Sequence, residues 1–158
     1  MADLVLTFEV EGELQLARRL LGVRNDLKDW TAQFVQTGNL LTKTFKETFN
    51  VQGKNIGESW TPLKPSTIAE KARLGFPLDP LIRTGKMSNS FVSKPTRFEV
   101  VISNPTPYFI YHQSRQPRHK LPRRVMMKLD ERRREMIVKI FQSSIQDKLK
   151  QRGFVANG

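Results

Sequence analysis

The sequence has no cysteine and only two histidines. Without cysteine, the chain can form neither a disulfide bond nor a thiolate metal site. No apolar run approaches the ~20 residues that a membrane helix needs, and the amino terminus lacks the basic flank and apolar run of a signal peptide. We therefore expect a soluble protein that works inside a cell, with no metal, no cofactor and no membrane partner.

Recognisable catalytic patterns are also missing. A hydrolase needs a nucleophile, a base and a group that orients the base, and no such set surrounds His112 or His119 in the sequence. The Gly-Lys pair of "RTGKMS" lacks the upstream glycine of a phosphate-binding loop. For His112, a structural bond to a backbone group is favoured over a catalytic role. The sequence therefore predicts a protein that is not an enzyme and has no catalytic residues.

Positive charge is what the sequence has in excess. Its 27 Lys and Arg residues oppose 15 Asp and Glu residues, which gives a net charge of +12. The window 115–134 holds nine basic residues against Asp130 and Glu131, a local charge of +7. Such a surplus attracts polyanions, and nucleic acid and an acidic protein neighbour fit it equally well. The predicted contact residues are Arg115, Arg118, Lys120, Arg123 and Arg124.

The first fifty residues show two hydrophobic periodicities, first that of a strand and then that of helices. Residues 3–10 place apolar and polar side chains in turn, which predicts a half-buried strand that ends at Gly12. The following "ELQLARRLLG" is helical, and a second helical stripe runs through residues 26–49. The sequence therefore allows two helices, or one helix interrupted near Gly22. The stripe consists of Leu27, Trp30, Phe34, Leu41, Phe45 and Phe49.

Short elements separated by turns fill the middle of the chain. Glycines in the loop 50–58 indicate mobility, and the Thr67–Glu70 spacing predicts a capping box for a short helix that stops at Gly75. Thr84 is expected to cap another short helix. Residues 92–103 predict a hairpin, and "YFIYHQ" predicts a single helical turn. The inward row of the second hairpin strand is predicted to be Phe98, Val100 and Ile102.

A long final helix is predicted over residues 128–151. We find no second domain, so residues 1–158 are expected to form one α+β unit. In it, a small antiparallel sheet packs against a long N-terminal helix region and a long C-terminal helix, with extended loops. The stretch 114–124 is predicted to be a basic arm. The buried side of the final helix is predicted to be Leu129, Met136, Ile137, Ile140, Phe141, Ile145 and Leu149.

Four segments also resemble a known family when they are taken in order. They are "WTPLKPSTIAEKARLG", "LIRTGKMSNSF", "SNPTPYFIYHQ" and "KLPRRVMMKLDE", and they are similar to the virion-morphogenesis, or tail-completion, family of tailed bacteriophages. The resemblance covers roughly residues 40–150, and residues 1–25 do not match it. Ser114 stands where the family commonly has a glycine. The shared positions are Trp60, Pro62, Leu63, Thr67, Lys71, Ile82, Thr84, Gly85, Tyr108, His112, Gln113, Pro122 and Arg124.

The resemblance implies a structural virion protein of the phage neck or tail. Such a protein completes the tail and joins it to the head connector as part of a homo-oligomeric ring, expected to have six subunits. Its partners would be the connector or stopper and the tail terminator or tube, in the virion and, during assembly, in the host cytoplasm. DNA passing the lumen would contact it non-specifically. The alternative is a non-specific nucleic-acid-binding protein that uses the 115–134 surface.

The same resemblance suggests roles for particular segments. Trp60 and Leu63 would pin an irregular loop onto the sheet, and Pro62 and Pro65 would stiffen that loop by lowering the entropy lost on ordering it. The loops 50–58 and 114–124 would serve as arms that reach neighbouring subunits. Heterologous ring contacts need two different patches on each subunit, which such arms can bridge.

Overall fold

The computed structural model of the chain describes residues 13–114 and 121–154. It confirms the α+β class, with a two-stranded antiparallel sheet, a long helix near each end and short elements between them. The strand predicted over residues 3–10 lies outside the described residues, as do residues 115–120 of the predicted arm. The elements are α1 (Glu13–Asp26), α2 (Thr31–Asn50), a 3₁₀ turn (Lys54–Ile56), α3 (Pro65–Arg73), β1 (Val92–Pro95), β2 (Val100–Ser103), α4 (Phe109–Gln113) and α5 (Glu131–Gln151).

Helix α2 is the centre of the described fold, as its apolar stripe predicts. Leu41, Phe45 and Phe49 of that stripe are buried, and Phe34 meets Phe141 of α5 edge-on at 5.2 Å between ring centroids. The first two helices are separate, but the break lies just before α2 rather than near Gly22. Two interactions explain its position. The Asp29 carboxylate accepts from the Thr31 amide at 2.9 Å, and the Trp30 amide donates to the Arg97 carbonyl at 3.2 Å.

The hairpin of β1 and β2 packs on α2 at Gly38. A Cβ atom at Gly38 would lie 2.0 Å from Ser93 Oγ, so a larger residue would push the sheet away from the helix. Val100 and Ile102 alternate with more exposed neighbours, as predicted for the inward row. The prediction for Phe98 is wrong, because this residue falls in the four-residue turn before β2 and is 71% exposed.

The predicted caps of two short helices are wrong. Helix α3 begins at Pro65, with Lys64 as its N-cap, so Thr67 lies inside the helix and no capping box forms. Proline suits the first turn of a helix because the amide that it lacks would be unpaired there. The stop at Gly75, whose φ is +70°, is confirmed. The residues directly after Thr84, 86–89, form turns and not a helix, because Gly85 has a positive φ in the left-handed region.

Helix α5 begins at Glu131, three residues later than predicted. The Asp130 carboxylate caps it by accepting from the Arg133 amide. Of its predicted buried side, Ile137, Ile140, Phe141 and Leu149 are partly buried, whereas the prediction is wrong for Leu129, Met136 and Ile145, which are exposed. No residue of α5 is fully buried, because α2 and α1 cover only part of its surface. Four apolar residues remain exposed along it or just before it: Leu129, Met136, Val138 and Ile145. Val138 and Ile145 are seven positions apart and lie on one side of the helix, and we call these two residues the apolar stripe of α5.

Helix α1 is attached to the last turns of α5 by charged contacts. The Asp26 carboxylate accepts two bonds from the Arg152 guanidinium, each 2.9 Å long, and its carbonyl accepts from Lys148 Nζ. The hydrogen bond from Arg152 lowers the pKa of Asp26 below its ordinary value. In the described part of the chain, α1 contacts no other helix and neither strand.

Candidate functional site

The residues that carry the family resemblance converge on one groove. Its volume is about 600 Å³, within the ~300–1,000 Å³ of ordinary binding clefts. It lies between α3, the loop 81–83, α4 and the segment 121–124. We call it the motif groove. Thr84, Gly85 and Gln113 do not line it, and Trp60 is buried next to it. Of the motif positions, it is lined by Pro62, Leu63, Thr67, Lys71, Ile82, Tyr108, His112, Pro122 and Arg124.

Trp60 fixes one wall of the motif groove. Its side chain is 6% exposed, and its ring meets the Phe49 ring edge-on at 5.5 Å. The indole N–H donates to the carbonyl of Val125 at 2.8 Å. Trp60 therefore anchors its loop, as predicted, but the prediction that it anchors the loop to the sheet was wrong. Trp60 holds its loop to α2 and to the segment 125–126, where Met126 is fully buried, and not to the sheet.

The loop 50–58 is held by its own backbone. The Gly53 amide donates to the Thr48 carbonyl at 2.9 Å, and the Gly53 carbonyl accepts from the Glu58 amide at 3.0 Å. Ile56 within the loop is fully buried. The expected mobility of this loop does not fit these contacts, because an arm that swings to a neighbour would have to break them.

Two glycines of this loop provide a matched pair of substitutions. Both have a positive φ, but a Cβ at Gly53 would lie 2.6 Å from the Glu58 carbonyl oxygen and 2.7 Å from the Trp60 ring, whereas a Cβ at Gly57 meets open space. We expect Gly57→Ala to cost about 1 kcal/mol from backbone strain alone. Gly53→Ala should cost about 3 kcal/mol, since overpacking is added. Urea unfolding measures both, and equal losses would contradict the packing described here.

Arg124 lies inside the chain and not on its basic surface. The side chain is 5% exposed. Its Nε and Nη2 donate to the Thr61 carbonyl at 3.0 and 2.7 Å, and Nη2 also approaches the Pro62 carbonyl at 3.4 Å. Burial lowers the pKa of Arg124 from its usual value. The prediction that Arg124 contacts a subunit or DNA does not fit this burial, because its guanidinium already bonds the opposite wall of the groove.

Gln113 attaches α4 to the segment 124–127. Its side-chain oxygen accepts from the amides of Met126 and Met127 at 2.7 and 3.1 Å, and its side-chain nitrogen donates to the Met127 carbonyl at 2.8 Å. The amide of Arg124 also donates to the His112 carbonyl at 3.0 Å. The Gln113 side chain thus bonds the backbone of this segment as a neighbouring strand would. These bonds hold the irregular segment 124–127 in place outside any regular sheet.

Lys71 fixes the opposite side of the groove. Its ammonium group donates to the carbonyls of Asp79 and Ile82, both at 2.6 Å. Partial burial lowers the pKa of Lys71. The guanidinium of Arg83 lies over the Phe76 ring, 4.4 Å from its centroid. The cations of this wall therefore hold the loop after α3 in place as well as adding positive potential to the groove.

His112 is half-buried, and its Nδ1 atom has no hydrogen-bond partner among the described residues. Burial first, and the nearby Arg124 charge second, lower the pKa of His112, so the neutral imidazole is favoured. The described lining of the groove contains no Asp, Glu or Cys. The residues 13–114 and 121–154 hold no group of three or more His, Cys, Asp or Glu that could bind a metal.

The predicted basic contacts divide into three groups. Arg115, Arg118 and Lys120 lie outside the described residues, Arg123 is exposed, and Arg124 is buried. Further along the window, Lys128 pairs with Glu58 at 2.8 Å and Arg133 with Asp130 at 2.8 Å. Arg132 and Arg134 are exposed near the start of α5. Among the described residues of the window, the exposed basic surface is therefore smaller than the sequence indicates.

The chain matches no family model, no curated protein and no solved structure. Within its described residues, no helix has the length and hydropathy required to span a membrane. Sequence reasoning missed the buried run 125–126 and the internal role of Arg124. The three apolar residues of "VMM" after "PRR" were a signal for the first, whereas nothing in the sequence marks Arg124 as buried.

Proposed function

We propose that this chain is a structural protein of a tailed-bacteriophage virion, which completes the tail and joins it to the head connector as one subunit of an oligomeric ring. One observation carries the proposal. The four segments that resemble the tail-completion family bond to one another across long sequence distances and form a single groove. Segments of one shared motif are expected to make such contacts, and this supports the proposal.

Exposed apolar surface supports a role in assembly. The apolar stripe of α5 leaves large side chains in contact with solvent, and Val138 is 51% exposed. Val138 and Ile145 lie about two turns apart on the same side of α5, and large exposed apolar patches are typical of protein–protein contact sites. The stripe and the motif groove involve different elements, as the two unlike patches of a head-to-tail ring require.

Electron microscopy of particles made with and without this protein tests the proposal. Without the protein we expect full heads separated from finished tails, and with it a ring of the chain at the junction. Normal joined particles in its absence would overturn the proposal. The basic surface would then point to the alternative of non-specific nucleic-acid binding.

Substitution of arginines in the 115–123 stretch tests the part played by the basic window. The variant carries alanine at Arg115, Arg118 and Arg123 and keeps the buried Arg124. We expect joined particles to decrease while the thermal unfolding temperature stays within a few degrees. Alanine at the exposed Lys43 and Lys46 of α2 is the control, and it should leave joining unchanged. Equal losses in both variants would show that total charge matters and the 115–123 stretch does not.

A further inference from the structure

Among residues 13–114 and 121–154, no third strand pairs with the sheet. Its two strands have four residues each, and in the described part of the chain they contact only each other and α2. A two-stranded sheet this small is marginally stable in water. Pro95 removes a backbone donor from β1, which blunts that edge, whereas β2 contains no proline. The free backbone groups of β2 therefore offer the better site for another strand.

The sheet is also incompletely covered beside β2. Val100 and Ile102 point toward α2, yet neither is fully buried. On the other face, Val101 is 50% exposed. A strand added here would complete both faces if its own side chains alternated between apolar and polar, because side chains of a strand point to opposite faces in turn.

Residues 3–10 have that alternation in the sequence. Leu4, Leu6, Phe8 and Val10 form one row, and Asp3, Val5, Thr7 and Glu9 form the other. In a third strand, the apolar row would lie on the same face of the sheet as Val100 and Ile102. The other row, in which Val5 stands between polar residues, would lie on the face of Val101. Residues 1–13 contain four acidic residues and no Lys or Arg. In the hairpin, Lys94 lies on β1, Arg97 approaches the Asp29 carboxylate at 3.8 Å, and Glu99 is exposed beside β2, so the alternation, and not charge, favours the pairing.

The position of α1 favours a donor from another copy. Asp26, the last residue of α1, bonds Arg152, and Arg19, earlier in α1, lies beside Gly153. When α1 is traced from Asp26 back toward Glu13, it therefore runs along the carboxyl end of α5. That helix is 14 residues long, or about 20 Å. Only two residues, 11 and 12, separate it from the predicted strand, and they span about 7 Å. Within one chain, residues 3–10 would have to run back along α1 before they reached β2.

We propose that residues 3–10 of one subunit pair with β2 of the neighbouring subunit and form a third strand of its sheet. This inference rests on the ring of the proposed function and identifies one of its contacts. The backbone hydrogen bonds supply affinity, and the alternating side chains fix which face of the donated strand turns inward. Each subunit gives a strand on one side and receives one on the other, which is a head-to-tail contact.

Cysteine cross-linking of the full chain tests the pairing, since the natural chain has no cysteine that could interfere. One preparation carries Val5→Cys or Thr7→Cys, which covers two registers, and the other carries Val101→Cys. Disulfides form only where Cα atoms approach within about 7 Å. After mixing and oxidation, we expect a covalent dimer on a non-reducing gel. Lys46→Cys, exposed on α2 and outside the proposed contact patches, replaces Val101→Cys in the control and should give none.

A proline in the donated segment gives a second readout that leaves the described fold untouched. Thr7→Pro in the Val5→Cys chain should lower the cross-linked yield roughly tenfold, because proline removes a ladder donor. A disulfide that forms within a double variant but never between two single variants would overturn exchange between copies. Absence of both would overturn the pairing itself.

Failure of this inference is distinguishable from failure of the proposed function. If electron microscopy finds the ring at the head–tail junction and no cross-link forms, the ring stands and the strand exchange is wrong. If the cross-link forms and particles join normally without the protein, the exchange stands and the junction role is wrong.

Discussion

Replacing Trp60 by alanine is expected to lower the free energy of unfolding by about 4 kcal/mol, as for other large buried aromatic residues. The substitution removes the edge-on contact with Phe49, opens a cavity in the cluster that includes Met126, and leaves the Val125 carbonyl without its donor. Urea-induced unfolding, followed by circular dichroism, measures the loss. A variant within about 1 kcal/mol of the natural chain would show that the groove wall does not depend on this side chain.

Two further variants separate the contributions of Trp60. Trp60→Phe keeps an aromatic ring but loses the indole N–H, and we expect a loss of about 1.5 kcal/mol from the unpaired carbonyl and the smaller ring. Phe98→Ala removes an aromatic side chain that is 71% exposed in the hairpin turn. That control should stay within about 0.5 kcal/mol of the natural chain. A larger effect at Phe98 would indicate a contact that the described residues do not show.

Replacing Arg124 by methionine is expected to cost about 3 kcal/mol. Methionine keeps much of the side-chain volume but leaves the Thr61 carbonyl without the two donors that it now has. Hydrogen bonds from a charged donor contribute about 1.5–3 kcal/mol, more than neutral ones. Arg124→Lys should recover part of the loss, because an ammonium group can reach one of these acceptors but lacks the planar fork of a guanidinium.

The neighbouring Arg123 supplies the matched control for Arg124. It has the same charge, is exposed, and stands one position earlier, so Arg123→Ala should change stability by less than about 0.5 kcal/mol. Arg123→Ala is expected to affect particle joining instead. If methionine at Arg124 were tolerated as well as alanine at Arg123, the internal role of Arg124 would be refuted.

Features that depend on residues close together in the sequence could be predicted from it. The stripe through Leu41, Phe45 and Phe49 predicted the buried face of α2, because every third or fourth residue of a helix shares a face. Gly75 predicted a helix end, since glycine adopts a positive φ without strain. Errors arose where the register was ambiguous, as with Phe98, whose place in the alternation is overridden by the length of the turn.

The walls of the groove could not be predicted in the same way. Arg124 is 63 positions from Thr61, and Trp60 is 65 positions from Val125. These bonds join a side chain to a backbone carbonyl, which every residue type possesses, so the sequence of the acceptor carries no signal. The resemblance grouped the donors but assigned Trp60 to the sheet, and the charge of the 115–134 window assigned Arg124 to a contact surface; the structure corrects both assignments.

The chain has both the apolar stripe of α5 and a net charge of +12. Ionic strength is therefore expected to act in opposite directions on its two proposed roles, assembly into a ring and binding of nucleic acid. Copies of the chain repel one another, and at physiological ionic strength this repulsion is screened beyond about 8 Å. Sulfate also strengthens apolar burial. If copies associate through the stripe, as proposed, added salt should promote that association, whereas it weakens binding to a phosphate backbone. Concentrated salt should consequently bring the subunits together and release any nucleic acid.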